Sequence, residues 1–219
     1  DKIDGIVFDL GVSSPQLDIA DRGFSYHNDA KLDMRMDTSK SFSAYNVVNE
    51  YSYEELYRII RDYGEEKYAS SIAKNIVKER DVKPIETTFE LVEIIRKSMP
   101  YKATRDNHPA RRTFQAIRIE VNNELEVLKS GLRQAIELLN VGGRICVISF
   151  HSLEDKIVKK IFGEYSEIPS EFKNLPFIPN ELEPKYKVIS KGIVASAEEL
   201  IENTRAHSAR LRVIEKVKD

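Results

Sequence analysis

Asp4-Gly5-Ile6-Val7-Phe8-Asp9-Leu10-Gly11-Val12-Ser13-Ser14-Pro15-Gln16 decides how this 219-residue chain is read. Ile6, Val7, Phe8 and Leu10 make a short apolar run that closes on an acid and a glycine. A run of that length bounded by turn residues reads as a strand buried in a parallel sheet, with a loop opening at its carboxyl end. A buried strand needs neighbours on both sides. This one begins almost at the first residue, with no initiator Met, so we expect an N-terminal part to be absent from the sequence. The alternative is a genuine first strand from which Met has been removed.

A second strand reads from Arg144 to Phe150, and His151-Ser152-Leu153-Glu154-Asp155 then starts a helix with Ser152 as the expected N-cap. Between the two strands the pattern is helical. Ser52 to Glu55 and Thr87 to Glu90 are capping boxes, each followed by apolar residues at helical spacing. A longer helical pattern runs from Pro109 to Leu139, with Asn122-Asn123 as a bend or split and Gly142-Gly143 as its stop. Prolines 169, 176, 179 and 184 mark an extended connection. Tyr186–Ile189 and Arg210–Val217 read as late strands, separated by a turn or loop over Asn203–Ser208. The expected architecture is α/β: a doubly wound sheet, C-terminal part only, over 1–30 and 106–219. A helical insertion subdomain fills 31–105.

Composition narrows the function classes. With 41% hydrophobic and 32% charged residues and a net charge of −2, the chain is neither disordered nor collagen-like. No apolar run approaches the roughly 18 residues of a membrane span. Cys146 is the single cysteine, which excludes a disulfide scaffold and a cysteine-based zinc site; it reads as a small buried hydrophobe. His27, His108, His151 and His207 lack ligand-type spacing, so no metal site is expected. Nothing resembles a signal peptide, and the cytoplasm is the default location.

In doubly wound sheets ligands bind beyond the carboxyl ends of the strands. Here those ends carry Asp9 to Gln16 and Ser149 to Ser152. Each reads either as a site or as a well-made turn, and His151 either as an acid/base or as a junction residue bonded to backbone. From Arg96 to Arg118 there are seven basic residues and one acid, Asp106. That segregation suits a phosphate backbone, although a solvated helix start would look similar. A smaller basic segment runs from Asn203 to Arg212. No dinucleotide or Walker-type glycine loop is present.

Several long segments together resemble the MraW-type bacterial methyltransferases. They are Asp4 to Asp18, Arg22-Gly23-Phe24-Ser25, Leu32 to Asp37, Tyr63-Gly64-Glu65-Glu66, His108 to Ile119, Val121 to Leu125, Ser149 to Asp155 and Asn203 to Arg212. In the last segment His207 stands where an Arg is usual. The resemblance implies a class I methyltransferase fold with a helical insertion. It also implies S-adenosylmethionine as cofactor and methylation of a cytosine N4 amine in 16S ribosomal RNA, with that RNA or the small ribosomal subunit as partner. It further implies roughly one hundred more N-terminal residues, with the glycine-rich cofactor loop among them. Of the family's cofactor contacts, Asp9 and Gln16 remain in this sequence.

On this reading Asp9, Ser13, Ser14 and His151 are the catalytic candidates. The exocyclic amine is a weak nucleophile that needs positioning and a hydrogen-bond acceptor. Lys102, Arg105, Arg111, Arg112 and Arg118 are expected to hold RNA phosphates. The competing reading is a non-catalytic RNA-binding or scaffold fragment; a nicotinamide enzyme lacks any supporting fingerprint. An open edge on the first strand leads us to expect a homodimer.

Overall fold

The computed structural model describes residues 2–104, 108–168, 170–172 and 179–219. Arg105, Asp106, Pro169 and Pro176 lie outside the described residues. In chain order the regular elements are β1 (Ile3–Asp9), α1 (Ser14–Asp18), α2 (Ala44–Glu50), α3 (Tyr53–Asp62), α4 (Ala69–Arg80), α5 (Thr88–Lys97), α6 (Arg111–Asn122), α7 (Glu124–Glu137), β2 (Leu139–Ser149), α8 (Ser152–Ser166), β3 (Tyr186–Val194), α9 (Ala197–Glu202) and β4 (Arg210–Lys216). They fall into two compact units, Asp1–Gly11 with Leu125–Asp219, and Val12–Glu124.

The first unit is a four-stranded sheet in the order β1-β2-β4-β3. β1 and β2 are parallel, and β4 runs antiparallel to both β2 and β3. Phe8, Val147 and Arg212 are register partners, as are Ile6, Ile145 and Ile214, so they share one face. That face packs on Leu128, Leu132 and Ile136 of α7 and on Val158, Ile161 and Phe162 of α8. The opposite face carries Val7, Cys146 and Val213 in register, and Val7 is 69% exposed. Cys146 is therefore half-exposed, not buried as expected. Alternation along β2 sends it to the face away from α7 and α8.

β2 starts earlier than expected. Gly142-Gly143 lies inside it, not beyond a helix. Ile3 pairs with Leu139 but Gly5 pairs with Arg144, so β2 bulges between these points, with Gly142 at φ +84°. A Cβ on Gly143 would stand 3.1 Å from the Ile3 carbonyl oxygen and 3.2 Å from that of Asp4. These glycines admit the close approach of β1 rather than ending α7.

The second unit is helical, and it is wider than the expected 31–105. Residues 12–30 belong to it because Phe24 lies in its core with Val12 and Leu17 packed against it, and 108–124 because α6 is one of its central helices. Phe114 and Ile117 are buried in the same core as Leu56, Ile59, Ile60, Ile72, Ile76 and Leu91. Gln115 donates to the Tyr63 carbonyl at 3.0 Å. The hydroxyl of Tyr51 donates to Glu120 at 2.8 Å. Burial and the Glu120 carboxylate push the Tyr51 phenol well above the usual tyrosine range. Both capping boxes form as read, at Ser52 and Thr87. The long helical pattern splits at Asn123, whose φ of +50° terminates α6.

Candidate functional site

Asp9 is the last residue of β1 and Ser149 the last of β2. The two strands are parallel neighbours with Asp9 opposite Ile148, so both carboxyl ends open side by side. Gly11, at φ +85°, turns the chain away from β1. A Cβ there would lie 3.8 Å from the Phe150 ring and 4.0 Å from Glu154 Oε1. The Asp9 carboxylate is exposed.

His151, not Ser152, is the N-cap of α8. The reason is Glu154, which turns back so that its Oε2 accepts from the backbone N–H of Phe150 at 2.8 Å and of His151 at 3.3 Å. A carboxylate at that position also meets the positive end of the helix. Glu154 is 3% exposed. Its Oε1 stands 3.2 Å from His151 Nε2. The His151 side chain is 10% exposed, and neither ring nitrogen has a hydrogen-bond partner. Nε2 nonetheless faces the Glu154 carboxylate, which leaves Nδ1 as the buried nitrogen to account for.

Asp155 faces the other way. Arg212 of β4 grips it through Nε at 2.7 Å and Nη2 at 3.0 Å. That grip holds the Asp155 carboxyl below the usual carboxylate range. The motif from Ser149 to Asp155 and the basic segment ending at Arg212 are thus parts of one clamp on the start of α8.

Ser13, Ser14 and Gln16 lie in the helical unit. Ser13 caps the short α1, and Gln16 Oε1 accepts from the Ser13 N–H at 2.8 Å. The Gln16 carbonyl oxygen is therefore occupied by its own turn. The four basic candidates among the described residues differ in their engagement. Lys102 and Arg111 are exposed. Arg112 donates to the Glu65 carbonyl at 2.7 Å. Arg118 is tied to both oxygens of Glu124, at 2.8 and 2.9 Å. Spacing gave no sign of the last pairing, since Arg118 and Glu124 lie on two different helices.

The motif at 22–37 also has a structural use. Asn122 accepts from the Met36 N–H at 2.7 Å and donates to the Met34 carbonyl at 2.8 Å. Arg22 donates to the Arg35 carbonyl at 2.7 Å, and Arg35 pairs with Asp33 through two bonds of 2.8 and 2.7 Å.

The MraW methylase family model matches residues 1–217. The chain belongs to the MraW methylase family. A ribosomal RNA small subunit methyltransferase H from Exiguobacterium sibiricum is 56% identical over 220 residues, which cover 100% of this chain and 70% of that protein. A protein of the same name from Lactobacillus delbrueckii subsp. bulgaricus is 56% identical over 217 residues, covering 98% of this chain and 69% of its own length. The fold is α/β of the class I methyltransferase kind, and the MraW motifs fall at the strand ends, on the Arg212 clamp and along α6. No helix among the described residues is long and apolar enough to cross a membrane.

Proposed function

We propose that this chain transfers a methyl group from S-adenosylmethionine to the N4 amine of a cytosine in small-subunit (16S) ribosomal RNA. The observation that carries this reading is the pairing of strand ends: an exposed Asp9 carboxylate beside the junction that holds His151, whose imidazole is paired with the buried Glu154. The names of the two relatives supply the substrate class.

The donor set suits the cofactor in part. Asp9 can accept from an amine or hydroxyl, and the turn at Gly11 leaves room beside Phe150. S-Adenosylmethionine, when bound, would supply the methyl group of its sulfonium, the S–CH3 bond breaking as the new bond forms and the neutral thioether S-adenosylhomocysteine leaving. In the sheet unit Asp9 is the residue that would hold it; in the helical unit Gln16 keeps an amide nitrogen that its turn leaves over, the second cofactor contact the resemblance implies. The cytosine amine is conjugated with its ring. An acceptor at Asp9, Ser13 or Ser14 takes a hydrogen bond from it and returns electron density to nitrogen. As the nitrogen–carbon bond forms, the amine sheds a proton, and His151 can receive it at a ring nitrogen. Glu154, 3.2 Å away, stabilises the resulting imidazolium.

The test is methyl incorporation into unmodified small subunits by the full-length gene product. Asp9→Ala should lower turnover by at least about a hundredfold, the usual scale of a lost proton-handling group. Its melting temperature should stay unchanged, because the side chain is exposed. Wild-type turnover would remove Asp9 from the mechanism. RNA binding with neither cofactor affinity nor methyl transfer would favour a non-catalytic RNA-binding role.

A further inference from the structure

Tyr26, His27 and His108 form one aromatic surface in the helical unit. Tyr26 stacks on His108 with ring centroids 4.3 Å apart and planes 20° apart. His27 lies 4.5 Å from Tyr26 and meets His108 edge-on at 5.3 Å. Phe114 of α6 supports Tyr26 edge-on at 5.7 Å. The stack has a buried foot and an open top: Phe114 is buried, Tyr26 and His108 are half-buried, and His27 is exposed. His108 Nδ1 accepts from the Ala110 N–H at 3.3 Å, which gives that imidazole a structural use, whereas the exposed His27 ring has no such bond to backbone among the described residues. Burial, with His27 and Arg96 beside it, pushes the His108 imidazole below the usual histidine range and favours its neutral form.

The charge around this surface is unusual. α6 opens three residues after His108 with Arg111-Arg112 and has no acid in its first turn. Two cations at that end oppose the helix dipole, a placement that costs stability unless an anion relieves it. Its N-cap, Ala110, offers no side-chain acceptor. Arg112 is held by the Glu65 carbonyl, which leaves the exposed Arg111. The hydroxyl of Thr113 on the same turn is buried with no hydrogen-bond partner.

We propose that Tyr26, His27 and His108 are a stacking platform for an unpaired base of the RNA substrate, with Arg111 holding the neighbouring phosphate. The proposal rests on the RNA reading above and deepens it. Flat π faces bind any unpaired base, so the platform supplies affinity and splaying rather than sequence choice. The cation beside it supplies the salt-dependent part.

The experiment is fluorescence anisotropy of a labelled, unstructured oligoribonucleotide at several salt concentrations, beside an abasic strand of equal length. Tyr26→Leu combined with His27→Ala should weaken RNA binding on the order of tenfold or more, with an unchanged salt slope. The same variant should bind the abasic strand like wild type, and Tyr26→Phe should keep full affinity. Arg111→Ala should weaken both strands and flatten the salt slope by about one unit. Thermal melting by circular dichroism checks that each variant folds. Wild-type RNA affinity in a folded Tyr26→Leu, His27→Ala variant overturns the platform and leaves the RNA reading standing. An equal loss on the abasic strand overturns it as well. A wild-type chain that binds neither strand overturns both.

Discussion

Glu154 and Asp155 are adjacent acids with opposite duties. Glu154 turns into the start of α8 and satisfies backbone donors, while Asp155 turns out to Arg212. With Ser152 read as the N-cap, the acid three residues on is Asp155, because capping needs only a carboxylate at about the right offset. What decided between them was Arg212, which is distant in sequence and claims Asp155. The pair has a pH signature. The Asp155 carboxyl titrates lower in the folded chain than in the unfolded one. Its stabilisation is therefore complete above the unfolded value of about 4 and disappears as pH falls through the depressed folded value. Asp155→Asn should unfold less steeply with acid than wild type in urea titrations between pH 5 and about pH 2. An identical acid slope would mean that the ion pair contributes nothing. Arg118 teaches the same lesson: its charge was legible in the sequence, but its engagement with Glu124 was not.

At the scale of elements, what was legible was local. The boxes at Ser52 and Thr87 are complete within four residues, and the helices start where they were read. Thr87→Ala should cost about 1 kcal/mol in urea unfolding, through the lost bond to the Glu90 N–H. The helices α2 and α9 went unread because they are short, and α9 buries none of its residues. The extent of the helical unit went unread for another reason. The chain's path past Asn122 is fixed by bonds to Met34 and Met36, and no periodicity reports a contact between residues so far apart. Gly64 shows the same kind of hidden constraint. A Cβ there would lie 2.5 Å from the Ile60 carbonyl oxygen and 2.8 Å from that of Arg112. Both obstacles are backbone, so Gly64→Ala should destabilise the helical unit by about 2–3 kcal/mol, read as a lower urea midpoint with an unchanged slope. Unchanged stability would show that α3 and α6 can separate at little cost.

At the scale of the whole molecule, two features of the sheet stand out. β1 has a hydrogen-bonded neighbour on one side only among the described residues, and Val7 on it is 69% exposed. Exposed apolar edges pair with other strands. We expect this chain to self-associate through β1, seen as a concentration-dependent mass in light scattering. Val7→Lys should restore a monomer; an unvarying monomeric mass for the parent chain would refute the expectation. The second feature is that Ile6 pairs with Ile145, with the whole helical unit strung between them. During synthesis β1 leaves the ribosome roughly 140 residues before its partner, a wait on the order of ten seconds at ordinary translation speed. Closing so long a loop costs entropy, which a compact intervening unit reduces by shortening the free chain. The helices, rich in near-neighbour contacts, form in a small fraction of that interval. Translation thus sets a timetable in which the insertion matures before β1 can meet β2, so a chaperone that shields extended apolar segments should raise the yield of folded protein.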